Sequence, residues 1–108
     1  MKGDRLGEFE ELTLLAVRAL GDRTYAVPVQ QFVEEMTGRD VSLGAVYAAL
    51  GRLETKGYVR SSLGAATAQR GGKPKRLYDV TATGLRTARD VHRVREKIWQ
   101  AIAAGRQS

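Results

Sequence analysis

Apolar positions along the 108 residues fall into four helical patterns and two short extended ones. The clearest lies in residues 41–59, VSLGAVYAALGRLETKGYV. Leu43, Val46, Tyr47, Leu50 and Leu53 recur at i, i+3, i+4, i+7 and i+10, which is one apolar face of a helix. Ser42 precedes them as an N-cap whose hydroxyl can accept an orphan backbone N–H. Gly57 closes the helix at a residue tolerant of left-handed backbone, and Tyr58-Val59 opens an extended segment.

Upstream, Phe9, Leu12, Leu15, Ala16, Ala19 and Leu20 predict a first helix over residues 8–20 with that set facing the core. Glu8, Glu10 and Glu11 sit near its positive end, and Gly21-Asp22 closes it. Residues 24–27 form a short extended link, after which Pro28 stands where a second helix would start. Val29, Phe32, Val33 and Met36 give that helix its stripe, Gly38 ends it, and residues 39–41 turn into the Ser42 cap. Two short helices joined by a tight turn predict a helix-turn-helix, although three-helix bundles share the pattern.

Downstream, residues 58–63 and 75–80 predict two strands flanking residues 64–74, GAATAQRGGKP. Thr81 N-caps a last helix reaching about residue 103. On it Ala88, Val91, Arg95, Ile98 and Ile102 follow near-heptad spacing, broadened by Val94, Trp99 and Ala101. Leu85 and Ala88 are expected to tie the helix to the preceding domain. Its distal half has little of its own chain to bury against, which points to a second copy in a two-fold dimer. The fold class expected is mainly α with a small β-hairpin wing: a winged helix-turn-helix over residues 1–81, then a C-terminal dimerisation helix and short tail over 82–108.

Charge sharpens the picture. The formal net charge is +6, and residues 52–76 alone carry seven basic side chains against one acidic. Such concentration marks an anionic partner more than general solubility. Gly44, Ala45, Ala48, Arg52, Thr55 and Lys56 share the outer face of the third helix, which is small and smooth with positive charge towards its end. A face without bulk suits the major groove of DNA, or equally another helix. Arg70, Lys73, Lys75 and Arg76 place four positive charges within seven residues. They form either a basic hairpin tip or a solvated loop.

Other chemistries lack their parts. With no cysteine there is neither disulfide nor thiolate metal site. His92 is the only histidine, so no two-histidine metal site fits one chain; it lies among Arg89, Arg93 and Arg95 as a solvated or interface residue. Gly71-Gly72 lacks the strand–loop–helix setting of a phosphate loop. No enzyme activity, cofactor or metal is expected. No apolar run approaches about 18 residues, so no membrane partner is expected either. The opening MKGDRLGEFEE has no apolar core, unlike a secretory leader, and a cytoplasmic location is expected.

The spacing Ser42-x-Gly44-x-x-Tyr47-x-x-Leu50-x-Arg52-Leu53-Glu54-x-x-Gly57-x-Val59, then the basic segment, then Tyr78-x-Val80-Thr81-x-x-Gly84, resembles the PadR-like winged-helix transcriptional regulators. The likeness runs from about Leu6 to Ala103, of the short type with one C-terminal helix. Tyr25 also falls on a family tyrosine, while Thr24 stands where glycine is common and Val80 where leucine is frequent. The resemblance implies a dimeric regulator, usually a repressor, on pseudo-palindromic double-stranded DNA. Ser42, Gly44, Ala45, Ala48 and Arg52 would then line the groove, with Tyr47, Lys56, Arg70, Lys73, Lys75 and Arg76 mainly at phosphates. Tyr47 otherwise covers the core edge. Ala88, Val91, Arg95, Ile98, Trp99 and Ile102 would form the dimer seam. There Trp99 either packs against the partner or, with its mate, makes a flat site for a small planar effector. The reading from another class is a winged-helix module that binds a protein through the smooth helix.

Overall fold

The computed structural model describes residues 5–21, 23–64 and 74–105. Arg70 and Lys73 lie outside these residues. In chain order the elements are α1 (Glu8–Ala19), α2 (Ala26–Thr37), α3 (Leu43–Thr55), β1 (Val59–Leu63), β2 (Arg76–Val80) and α4 (Ala82–Ala103). This is the expected mainly helical architecture with one antiparallel hairpin.

The core is built from Leu14 and Val17 of α1, Val29 and Val33 of α2, Val46, Leu50 and Leu53 of α3, and Val59 of β1. On α1 the predicted face is corrected. Thr13, Leu14, Ala16 and Val17 are buried together with Glu10 and Glu11, whereas Leu15, Ala19 and Leu20 are exposed. Polar side chains enter this core because each finds a partner: Thr13 Oγ1 donates to the Phe9 carbonyl at 2.8 Å, and both carboxylates meet cations.

Helix α2 begins two residues before Pro28, with Tyr25 as an extended N-cap. Pro28 is still harmless there, since the first four N–H groups of a helix have no intrahelical acceptor. Met36, expected inside, is exposed. Gly38 closes the helix with φ 70°. The turn that follows is fixed by α2 itself. Glu34 Oε2 accepts the Val41 N–H at 2.9 Å, and Gln30 Nε2 donates to the Val41 carbonyl at 2.7 Å. The backbone polar groups of this buried residue are thus both satisfied by side chains.

The Ser42 hydroxyl accepts the Ala45 N–H at 3.0 Å and starts α3 as expected. Ala49, rather than Tyr47, joins Val46, Leu50 and Leu53 in the core; Tyr47 is 52% exposed. Gly57 turns the chain with φ 80°, and Tyr58 N–H returns to the Leu53 carbonyl at 2.9 Å. The hairpin pairs Val59 with Val80 through to Leu63 with Arg76. Thr24 adds a bridge to the outer side of β2, exchanging two backbone hydrogen bonds with Tyr78.

Thr81 joins hairpin to helix. Its Oγ1 accepts the Gly84 N–H at 3.0 Å to cap α4 and donates to the Gly57 carbonyl at 2.7 Å, while its own N–H reaches the Tyr58 carbonyl. Gly84 and Ala88 are buried against the winged domain. Beyond them Val94, Ile98, Trp99 and Ile102 lie exposed on a 22-residue helix about 33 Å long. Among the described residues, no helix is long and apolar enough to cross a membrane.

Candidate nucleic-acid interface

The outer face of α3 carries Ser42, Gly44, Ala45, Ala48, Gly51 and Arg52, all exposed or partly so. Gly51 is absent from the sequence-derived set, although it lies three residues after Ala48 and four before Thr55 on the same face. A Cβ on Gly44 or Gly51 would meet nothing within 4 Å. Their lack of a side chain therefore answers no internal packing need, and the surface they leave is open to a partner.

The positive end of that face is not free. Glu10 of α1 is buried, and its carboxylate takes Arg52 Nε at 2.7 Å and Lys56 Nζ at 2.6 Å. Lys56 Nζ also donates to the Arg5 carbonyl, and its side chain is only 14% exposed. Lys56, expected at a phosphate, is here drawn inward as a cation that ties α3 to α1. Burial by itself would raise the Glu10 pKa. The hydrogen bonds from Lys56 and Arg52, with one from the Gly7 N–H, outweigh it and hold the carboxyl below its ordinary 4.5. In the sequence Glu10 reads only as a charge complementing the start of α1, because nothing local shows that residues 52 and 56 will lie opposite.

At the base of the wing, Lys75 and Arg76 are exposed. Lys75 Nζ stands 4.7 Å from the centroid of the Tyr25 ring, a cation–π contact. Arg76 Nη1 donates to Ser61 Oγ at 2.9 Å, and that hydroxyl donates on to Glu54 Oε2 at 2.7 Å, linking hairpin to α3. Burial and the Glu54 charge push the Tyr78 phenol up, with Arg76 opposing. Tyr25, Tyr47, Leu63, Pro74, Lys75 and Arg76 line a cleft of about 460 Å³ between hairpin and helices. Two tyrosines and two cations there can meet a sugar–phosphate backbone with both apolar and charged contact.

On α4 the predicted seam divides. Ala88 is buried in the chain's own core and does not belong to it. Arg95 Nη1 meets Glu11 Oε1 of the same chain at 2.9 Å. Val91 is half-buried, while Ile98, Trp99 and Ile102 remain open. His92 borders a cavity of about 240 Å³ with Glu11, Leu15, Leu85, Ala88 and Arg89, between α1 and α4. Among the described residues no group of three or more His, Asp or Glu could hold a metal ion.

Comparison with known proteins agrees with this geometry. The chain is similar in fold to a PadR-like transcriptional regulator of Bacillus cereus, with TM-score 0.70 and 17% identity over 93% of this chain and 92% of that one. It resembles a PadR family transcriptional regulator of Eggerthella lenta, with TM-score 0.69 and 20% identity, covering 94% and 88% of the two chains. A transcriptional regulator of Clostridium thermocellum gives TM-score 0.67 and 19% identity, covering 89% and 88%. No curated protein matches the sequence significantly. The Transcriptional regulator PadR-like family matches residues 14–90, from the core of α1 into α4. The chain belongs to the PadR-like family of transcriptional regulators, and is a DNA-binding regulator rather than an enzyme.

Proposed function

We propose that this regulator acts as a homodimeric repressor on a pseudo-palindromic operator, in the cytoplasm. Residues 1–81 form the DNA-binding unit and residues 82–108 the dimerisation helix and tail, with the first two turns of that helix packed back onto the winged domain. Each subunit lays the face of Ser42, Gly44, Ala45, Ala48 and Arg52 into a major groove. Tyr47, Lys75 and Arg76, with Arg70 and Lys73 of the basic segment between the strands, meet phosphates. Val91, Ile98, Trp99 and Ile102 pair with the partner's α4, and the two Trp99 rings are the place where a small planar effector would sit.

The observation that carries this reading is the smooth, side-chain-poor face of α3, open to solvent directly beside a basic hairpin. A face that avoids bulk over three helical turns matches a groove about 12 Å wide. Direct readout is sparse, because Arg52 is the only long side chain there suited to a base edge. Half-site spacing and DNA deformability supply the rest. Selection from random duplex DNA tests it. The expected product is two short half-sites about one helical turn or a multiple apart, with binding strongly weakened when about five base pairs are inserted between them. A long, fully specified single site, or indifference to the insertion, would overturn it.

A further inference from the structure

Glu10 holds the two cations of α3 in different ways. Lys56 is enclosed, its ammonium shared between Glu10 Oε1 and the Arg5 carbonyl. Arg52 is half exposed, and it is Nε of its guanidinium that meets Glu10. A guanidinium gripped at Nε turns its Nη1–Nη2 edge away from the carboxylate. That edge offers the two parallel N–H groups that match O6 and N7 of guanine. An unrestrained arginine would have to order its long side chain on meeting DNA, and this one meets it already ordered.

We propose that Glu10, which lies on α1 outside the DNA-reading face, is a positioning residue for base recognition. It fixes Arg52 at Nε so that the Nη edge is set for one guanine per half-site. Lys56 is the counter-charge that seats Glu10, and takes no share of phosphate binding. This rests on the reading of Arg52 as a base contact.

A role confined to stability and this one predict different signs. In Glu10→Gln, loss of a negative charge near DNA and release of Lys56 favour any duplex. Non-specific affinity should rise, and the slope of log affinity against log salt should steepen by up to about 0.9 per subunit. Discrimination should meanwhile fall about three- to tenfold, as Arg52 loses its preordered geometry. The test is fluorescence anisotropy at several salt concentrations on two duplexes: the site selected by wild-type protein, and the same site with the Arg52-dependent guanine replaced by adenine. Wild type, Arg52→Ala, Glu10→Gln and the double variant are compared. Discrimination should fall in both single variants and fall no further in the double. If Arg52→Ala keeps wild-type discrimination, the underlying reading of Arg52 fails. If Arg52→Ala loses it while Glu10→Gln keeps it, or if the two losses multiply, positioning by Glu10 is overturned. Circular dichroism establishes folding. Should the glutamine variant not fold, Glu10→Asp withdraws the carboxylate by one methylene and keeps its charge; it should lose discrimination with the salt slope unchanged, and retained discrimination overturns the proposal.

Discussion

Gly84 packs so closely on Tyr58 that a Cβ at residue 84 would come within 2.1 Å of the Tyr58 carbonyl oxygen. The obstacle is backbone, which no rotamer change can clear. Gly84→Ala would gain about 1 kcal/mol of helix propensity in an unconstrained helix. Here it should instead lose about 1–3 kcal/mol by overpacking. Urea unfolding reads the sign directly, and a stabilised variant would refute the close approach.

Gly51 shows the opposite case, a helical glycine with open space around it. Gly51→Ala should stabilise the protein by about 0.5–1 kcal/mol. The added methyl stands on the face proposed to enter the groove, so operator affinity should fall in the same variant. Thermal melting and anisotropy on one preparation test the pair of effects. Equal or tighter operator binding would take Gly51 out of the interface.

The division of labour among cations is also measurable. Lys75→Ala with Arg76→Ala should flatten the salt slope by about 0.9 for each phosphate no longer neutralised, and weaken all sequences alike. Lys56→Ala should leave the slope unchanged and cost stability, about 1.5–3 kcal/mol for a hydrogen bond to a charged group. A slope that drops in the Lys56 variant would return that residue to the interface.

Ile98 and Ile102, both at least half exposed, should contribute about 1.5–3 kcal/mol each when buried against a partner helix. Changing both to aspartate should give monomers with the winged domain folded and operator affinity collapsed. Sedimentation that still finds a dimer would move the seam elsewhere on the surface.

Acid should expose the Glu10 network. Burial opposes ionisation of Glu10, but Lys56 and Arg52 prevail and depress its folded-state pKa below 4.5. A group whose folded pKa is the lower one stabilises the fold above its unfolded pKa and loses that contribution as pH falls through the folded value. Stability should therefore decline below about pH 4.5, and Glu10→Gln should show a smaller decline. Urea midpoints between pH 3 and pH 7 measure it; parallel curves would mean that the pair contributes nothing.

Elements with strong local punctuation are legible in the sequence. The Ser42 cap, Gly38, Gly57 and Thr81 mark their boundaries within a residue, because each satisfies the backbone of its own turn. The buried face of α1 is not legible, for a physical reason. Leu12, Leu14, Leu15, Val17 and Leu20 cover so wide an arc that periodicity cannot choose a face, and the choice is made by partners remote in sequence. Arg52 and Lys56 draw Glu10 inward, and Arg95 draws Glu11. The same remoteness hides the internal role of Lys56, which reads as one more charge in a basic segment. Tyr47 and Ala49 lie on opposite flanks of the Val46, Leu50 and Leu53 stripe, and spacing alone does not say which flank is covered; the fold covers the alanine side.

The bridge between Thr24 and Tyr78 has a consequence for synthesis of the chain. The three helices of the winged domain are complete once residue 55 has been made, yet the strand that receives Thr24 and the threonine that seals Gly57 and Tyr58 come more than twenty residues later. Until they are made, Thr24 lacks its bridge partner, and the Gly57 and Tyr58 carbonyls lack the groups of Thr81 that they accept from. Contacts of such long sequence separation close last, since their loop entropy must be met first. Helix α3 is made early, and the domain that holds it becomes whole only when Val80 and Thr81 arrive.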